Sequence, residues 1–182
     1  MGDPIQVLAD LFAFEGGQEY FGEPVTQAEH MLQAAARARL ASAPPPLIAA
    51  ALLHDIGHFL GPVSGADLMA GTDNRHRDVA ADWLAEWFPP AVTEPVRLHV
   101  AAKRYLCAVE PRYLAELSEA SRFTLTVQGG PMSATEVGGF EALPYAQDAV
   151  RLRRWDEAAK DPSATPEPFD FYRPLLGRLL RD

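Results

Sequence analysis

A single cysteine, Cys107, stands in 182 residues, so the chain has no internal disulfide framework and is expected in a reducing compartment. Its ordinary place is that of a small buried hydrophobe. Long apolar runs are missing: none approaches the roughly 18 residues that would cross a bilayer. The start, Met1-Gly-Asp-Pro-Ile-Gln6, lacks both the basic flank and the apolar core of a secretory leader. These absences lead us to expect a soluble, cytoplasmic protein. Positive charge is scarce, with 16 Lys and Arg against 25 Asp and Glu and a net charge of -9. That balance argues against nucleic acid or an anionic membrane as partner, since both call for a basic surface. Any anion the chain binds must therefore meet a local cationic pocket. Internal repeats are absent, and the one low-complexity tract is Pro44-Pro45-Pro46, which separates two helices. Alternating period-two runs are nearly absent as well, which excludes a sheet-based fold and predicts an all-α domain. At 19.9 kDa the chain fits one domain over residues 1–182, large enough to stand without staples.

Helical periodicity covers residues 4–14, 27–42, 46–57, 73–88, 90–106, 110–127, 134–140, 145–159 and 170–180. Two of these starts carry capping boxes, Thr26-Gln-Ala-Glu29 and Ser133-Ala-Thr-Glu136, in which hydroxyl and carboxylate reciprocally satisfy orphan backbone donors. Trp83, Leu84, Trp87 and Phe88 cluster at helical spacing and read as core. Residues 161–168 are rich in Pro, Asp, Ser and Thr and read as a loop before a short amphipathic C-terminal helix.

What the chain does have is a sparing and ordered use of histidine. Its five histidines form one series with two aspartates: His30, the doublet His54-Asp55 with His58 one turn on, His76, His99 and Asp156. Imidazole and carboxylate are the ligands of Fe, Mn, Zn and Ni. The doublet lies in Ile48-Ala-Ala-Ala-Leu-Leu-His-Asp-Ile-Gly57, an apolar run expected to be a buried helix ending near Gly57, and a buried His-Asp doublet needs a partner. Adjacent helical residues point about 100 degrees apart, so the two cannot easily meet one ion head-on. A carboxylate can, however, bridge two ions while its neighbour ligates one of them, which favours a binuclear site. A mononuclear site would need His30, the doublet and Asp156 alone; a second metal would use His76 and His99. Taken singly, His76 could belong to a polar helix start, and His99 could be a satisfied core group.

Cationic or donor groups accompany these ligands by one helical turn: His58 follows His54 at i+4, Lys103 follows His99 at i+4, and Arg153 precedes Asp156 at i-3. Three helices are thus expected to aim a ligand and an anion-binding group at one cavity. A fork of Arg, Lys and His suits the three oxygens of a phosphoryl or phosphonyl group. Arg153 could equally belong to a solvated basic face, Arg151-Leu-Arg-Arg154, and His58 could be a more remote residue or itself a ligand. Upstream stands Tyr20-Phe-Gly-Glu23; phenolate is a good ligand for a hard trivalent ion, and a nearby Glu could hold its hydroxyl.

Taken together, the segments Tyr20-Phe-Gly-Glu-Pro-Val-Thr-Gln-Ala-Glu-His30, Leu52-Leu-His-Asp-Ile-Gly-His58, Leu125-Thr-Val-Gln-Gly-Gly-Pro-Met-Ser133 and Asp148-Ala-Val-Arg-Leu-Arg-Arg-Trp-Asp156, with His76, His99 and Lys103, carry a resemblance. The chain resembles the HD-domain mixed-valent diiron oxygenases of organophosphonate breakdown, typified by 2-amino-1-hydroxyethylphosphonate oxygenase. The doublet is shared by a whole superfamily of phosphohydrolases, whereas the Tyr-to-His spacing, His58 and the last two stretches are more specific. The resemblance implies a helical HD domain holding two iron ions, Fe(II) and Fe(III), by His30, His54, His76, His99, Asp156 and a bridging Asp55. It implies that Tyr20 occupies the substrate's position at the metal until substrate displaces it, with Glu23 as its hydrogen-bond partner. Lys103, Arg153, His58 and Ser121 would hold the phosphonate. The implied reaction uses dioxygen to cleave the carbon–phosphorus bond of a 1-hydroxy-2-aminoethylphosphonate-type substrate, giving glycine or glycine betaine and inorganic phosphate.

The rival reading is a binuclear-metal HD phosphohydrolase acting on a small phosphate ester, for which redox-inert metals suffice. Against it, His58 stands where the cyclic dinucleotide phosphodiesterases carry Lys, and their Gly-Tyr-Pro signature does not follow His76. Inositol oxygenase, which shares the diiron core, also carries Lys at that position.

Overall fold

The computed structural model describes residues 2–20, 22–60 and 76–181, except for the side chain of His76. Among the described residues the secondary structure is helical throughout, and the one β-type pairing is an isolated antiparallel bridge between Glu19 and Thr26. The all-α expectation holds.

The helices start where the sequence offers caps or proline. Helix α1 (Pro4–Phe14) is capped by Asp3, whose carboxylate accepts from the Ile5 amide at 3.0 Å. Helix α2 (Gln27–Leu40) opens on the Thr26/Glu29 capping box, and α9 (Ala134–Glu141) on that of Ser133/Glu136; both are fully formed. Proline sets the starts of α3 (Pro45–Leu53), α6 (Pro90–Val109) and α7 (Pro111–Glu116), where a missing N–H costs nothing. The remaining helices are α4 (Gly57–Leu60), α5 (His76–Leu84), α8 (Glu119–Val127), α10 (Ala146–Ala158) and α11 (Phe169–Gly177).

Three segments depart from the sequence reading. The apolar run expected as one helix to Gly57 ends at Leu53, and the chain turns through i→i+3 bonds, Ile56 N to Leu53 O and His58 N to Asp55 O, before α4 begins. His54 and Asp55 therefore sit in a tightened turn, not inside a regular helix. Residues 110–127 split into α7 and α8, because Ser118 starts a new helix by accepting from the Ser121 amide at 3.1 Å. The segment 73–88 is helical over His76–Leu84 and continues as turn to Phe88; residues 73–75 lie outside the described ones.

Helix α6 is the spine, packed against α10, α5 and α3, while α2 lies on α3 and α10. The larger apolar core joins α1, α2, α3 and α11 through Leu8, Met31, Leu47, Leu52, Tyr172 and Leu176; within α3 every residue from Leu47 to Leu53 is buried. Leu84 and Phe88 are fully buried there and Trp83 and Trp87 pack against it. A second cluster around Leu106, Cys107, Tyr113 and Phe140 closes the other end of α6, so Cys107 is a buried hydrophobe. No helix among the described residues is long and apolar enough to cross a membrane.

Candidate metal centre

Three histidine rings are fixed by backbone carbonyls. Nδ1 of His30 lies 2.9 Å from the Ala159 carbonyl, Nδ1 of His54 lies 2.9 Å from that of Ala51, and Nδ1 of His99 lies 2.6 Å from that of Val96. A carbonyl can only accept, so each Nδ1 carries a proton, and in the neutral form of each ring the lone pair lies on Nε2. Those lone pairs converge. Nε2 of His30 and of His54 stand 3.1 Å apart, and Asp156 Oδ1 lies 3.3 Å from the first and 3.8 Å from the second. Oδ1 of Asp156 is buried and receives no hydrogen bond. Two lone pairs and an orphaned carboxylate oxygen facing each other inside a protein repel unless a cation stands between them. His30, His54 and Asp156 thus have the donor set and convergence of a metal site, their ligand atoms all within 4.8 Å of one another.

Asp55 faces two ways. Its Oδ2 is 3.7 Å from His30 Nε2 and 3.5 Å from His54 Nε2, whereas its Oδ1 is 3.5 Å from His99 Nε2 and 3.9 Å from His58 Nε2. One carboxylate thus spans two imidazole groups, the arrangement a bridging ligand requires. His76 opens α5, but its side chain lies outside the described residues.

Tyr20 stacks on His30, with ring centroids 3.9 Å apart and planes 15 degrees from parallel. Its hydroxyl bonds to Asp55; burial of the phenolic end, then the charges of Asp55 and Asp156, push its pKa well above the ordinary value. The Glu23 carboxylate is directed to Ser118 Oγ at 2.6 Å and Lys160 Nζ at 3.0 Å.

The same cavity continues past Asp55 to the other sequence candidates: Tyr20, Glu23, His58, Lys103, Ser121 and Arg153 all line it. Lys103 is buried on α6 and donates to Thr124 Oγ1 at 2.9 Å. Burial, reinforced by Arg153, lowers its pKa to about 7. Burial also lowers His99 to about 4, and it lowers His58 below its ordinary value. Arg153 is far from the solvated face it might have occupied. Its Nε donates to Tyr113 OH at 2.7 Å, Nη1 to Asp156 Oδ2, and Nη2 to Glu157 Oε2 and, at 3.3 Å, to Ser121 Oγ. Burial alone would raise the Asp156 carboxyl, but Arg153, His30 and His54 outweigh it and hold the group well below the usual carboxylate range. Arg153 is thus the outer support of a candidate ligand.

Sequence reasoning missed several residues of this wall. Thr124 and Gln128 share the face of α8 with Ser121, three and seven residues on, and all three line the cavity. Gln128 belongs to the Gln-Gly-Gly-Pro-Met-Ser stretch, a signal that could have marked it, and its buried Oε1 receives no hydrogen bond. The two glycines of that stretch adopt φ of 98 and 72 degrees and reverse the chain after α8, Gly130 N bonding Leu125 O at 2.8 Å. Glu157 and Lys160 carried no such signal.

A match to the HD domain family covers residues 28–122. The chain belongs to that family. Within it, this HD-domain chain is 41% identical over 179 residues to the (1-hydroxy-2-(trimethylamino)ethyl)phosphonate dioxygenase (glycine-betaine-forming) of Leisingera caerulea, spanning 98% of this chain and 91% of the relative. It is 46% identical over 160 residues to the hydroxymethylphosphonate dioxygenase of Gimesia maris, spanning 87% of this chain and 79% of that one. Its similarity to these phosphonate dioxygenases therefore extends over most of its length.

Proposed function

We propose that this HD-domain protein is a dioxygenase that cleaves the carbon–phosphorus bond of a small 1-hydroxyphosphonate. The substrate is of the 1-hydroxy-2-aminoethylphosphonate type, and the products are a carboxylate, glycine or glycine betaine, and inorganic phosphate. One dioxygen accounts for the balance: the carbon bearing hydroxyl and phosphorus becomes a carboxylate carbon, and phosphorus leaves as phosphate. The observation that carries this reading is the pair of imidazole groups spanned by Asp55 beside a wall holding Lys103 and Arg153. The relatives named as phosphonate dioxygenases supply the reaction class.

In this reading His30, His54 and Asp156 would hold one iron and His99 and His76 the other, with Asp55 serving both. Iron bound there, as Fe(II) and Fe(III), supplies the binding of dioxygen and the one-electron chemistry that a closed-shell organic substrate lacks. The chain's own residues do the rest. Lys103 meets the phosphonate with a buried ammonium that, among the described residues, donates to one hydroxyl, which leaves it further donors for an anion. Arg153 adds a buried positive charge and the Nη1–H not directed to Asp156, Ser121 a hydroxyl, and His58 an imidazole ring beside Asp55. Tyr20, bonded to Asp55 and stacked on His30, would stand in the way of the substrate's hydroxyl and phosphonate until they displace it. Its departure couples substrate arrival to opening of the site, with Glu23 on the same turn.

The test is phosphate release under air by the iron-loaded protein with hydroxymethylphosphonate, 1-hydroxy-2-aminoethylphosphonate and its trimethylammonium counterpart. We expect one equivalent of dioxygen consumed per phosphate released from at least one of them, and none without air. Release from phosphate monoesters in the absence of air, with magnesium or manganese in place of iron, would instead establish a phosphohydrolase.

A further inference from the structure

The sequence contains two lysines, Lys103 and Lys160, and both line this cavity. Their situations differ. Lys103 lies deep and donates to one hydroxyl, whereas Lys160 Nζ reaches Ser118 Oγ at 2.8 Å, Ser121 Oγ at 3.0 Å, Glu157 Oε1 at 3.2 Å and Glu23 Oε1 at 3.0 Å. An ammonium has three protons, and four acceptors already compete for them. Lys160 therefore has no donor to spare for a substrate, and its work lies between protein groups.

Those groups come from three places: Glu157 shares α10 with the metal-side Asp156, Ser118 and Ser121 begin α8, and Glu23 belongs to the turn that carries Tyr20. In that turn Glu23 N bonds Tyr20 O at 2.8 Å and Tyr20 N bonds Val25 O at 3.0 Å, so displacement of Glu23 is felt by the backbone of Tyr20. The pair lies at the outer end of the cavity: the side chains of Lys160 and Glu23 are 11% and 12% exposed, against 6% and 3% for Asp55 and Asp156. It is still too enclosed to behave as a surface ion pair of negligible worth.

We propose that Lys160 is a clasp, a positioning residue that pins the Tyr20 turn through Glu23 against α8 and α10 at the cavity mouth. It also neutralises Glu23 and Glu157 so that the wall presented to an anion stays cationic. The second half rests on the phosphonate reading above; the first does not. The physical signature is an asymmetry. Removing one partner of an enclosed ion pair strands the other charge, whereas removing both does not compound the loss.

The first measurement is hydrogen exchange of the peptide spanning residues 18–25 in the full-length, metal-loaded protein, comparing wild type, Lys160→Met, Glu23→Gln and the double variant. We expect exchange to quicken about tenfold or more in each single variant, corresponding to roughly 1.4 kcal/mol of local opening. The double variant should be no faster than the quicker single one, and peptides of α2 should be unchanged. Unaltered exchange in Lys160→Met, or accelerations that multiply in the double variant, overturns the clasp. Should Lys160→Met lose protection throughout, Glu23→Gln alone decides: quicker exchange at 18–25 supports the clasp and unchanged exchange overturns it. The second measurement is kinetic, with whichever phosphonate the wild type cleaves. Lys160→Met should raise KM about tenfold while kcat falls by less than KM rises, and an unchanged KM overturns the neutralising half. If the wild type cleaves no phosphonate, the functional reading fails while the exchange result still decides the clasp.

Discussion

Lys103 shows how much a single side chain can be asked to do in an acidic protein. An ammonium buried on α6, with its pKa lowered to about 7 by desolvation and then by Arg153, is costly to the fold and useful to an anion. Between about pH 7 and its ordinary value of 10.5 the folded state binds fewer protons at this group than the unfolded state does. Stability is therefore expected to rise with pH across that window, by about 1.4 kcal/mol per pH unit at most from this group. Denaturant midpoints of chelator-treated protein at pH 7.5 and 9.5 check this, and Lys103→Met should flatten the rise; equal slopes in both proteins would refute it. If Lys103 holds the phosphonate as proposed, the arriving anion favours its charged form, and the charge-assisted hydrogen bond between them would be worth roughly 1.5–3 kcal/mol. Lys103→Ala is expected to raise KM by about ten- to a hundredfold with metal content intact. Joint loss of metal and activity would make Lys103 structural instead.

At the scale of elements, the site depends on where helices begin and end. Helix α2 presents His30 from its first turn, and that start is set by Thr26, whose hydroxyl accepts from Glu29 N at 3.2 Å while Glu29 Oε2 accepts from Thr26 N at 2.7 Å. Thr26→Ala should cost about 1 kcal/mol of stability, read as a lower denaturant midpoint. His30 is still held by the Ala159 carbonyl, so metal stoichiometry should not change. Such starts are legible because a cap is a local bond between residues three apart. The break at Leu53 was not, since all of Leu47–Leu53 is buried and no polar face marks where the helix stops. The break at Ser118 was signalled only by a serine, and part of what fixes it lies far along the chain: Ser118 N donates to Glu157 Oε1 at 3.0 Å. The same distinction holds in the cavity. Lys103 could be placed by its i+4 spacing from His99, whereas Glu157 and Lys160 acquire their roles from partners on the turn after α1 and on α8, which no spacing within α10 reveals.

Across the whole molecule, the candidate ligands tie distant parts of the chain together: His30 on α2, the doublet after α3, His99 on α6 and Asp156 on α10, with the ring of His30 fixed by a carbonyl 129 residues away. Without a cation these groups oppose one another, as two Nε2 lone pairs at 3.1 Å and an orphaned carboxylate oxygen show, so part of the folding free energy goes into holding them together. A bound metal reverses the sign of that contribution, because it binds a site that the unfolded chain does not possess. At free metal about 100-fold above its Kd the gain is about 2.7 kcal/mol per ion. For a chain of this size each kcal/mol moves Tm by about 2–4 °C. Chelation should therefore lower Tm by about 5–10 °C for one ion, and further if both positions fill. Asp55→Ala separates the two cases, since a carboxylate facing both imidazole groups would serve both ions of a binuclear site, and its loss should then abolish most of the chelator-dependent shift. Calorimetric scans of wild type and Asp55→Ala, each with iron under anaerobic conditions and with chelator, make the comparison. A wild-type Tm indifferent to chelator would show that the histidines and carboxylates hold one another without a metal. An undiminished shift in Asp55→Ala would show that His30, His54 and Asp156 bind their ion without a bridge.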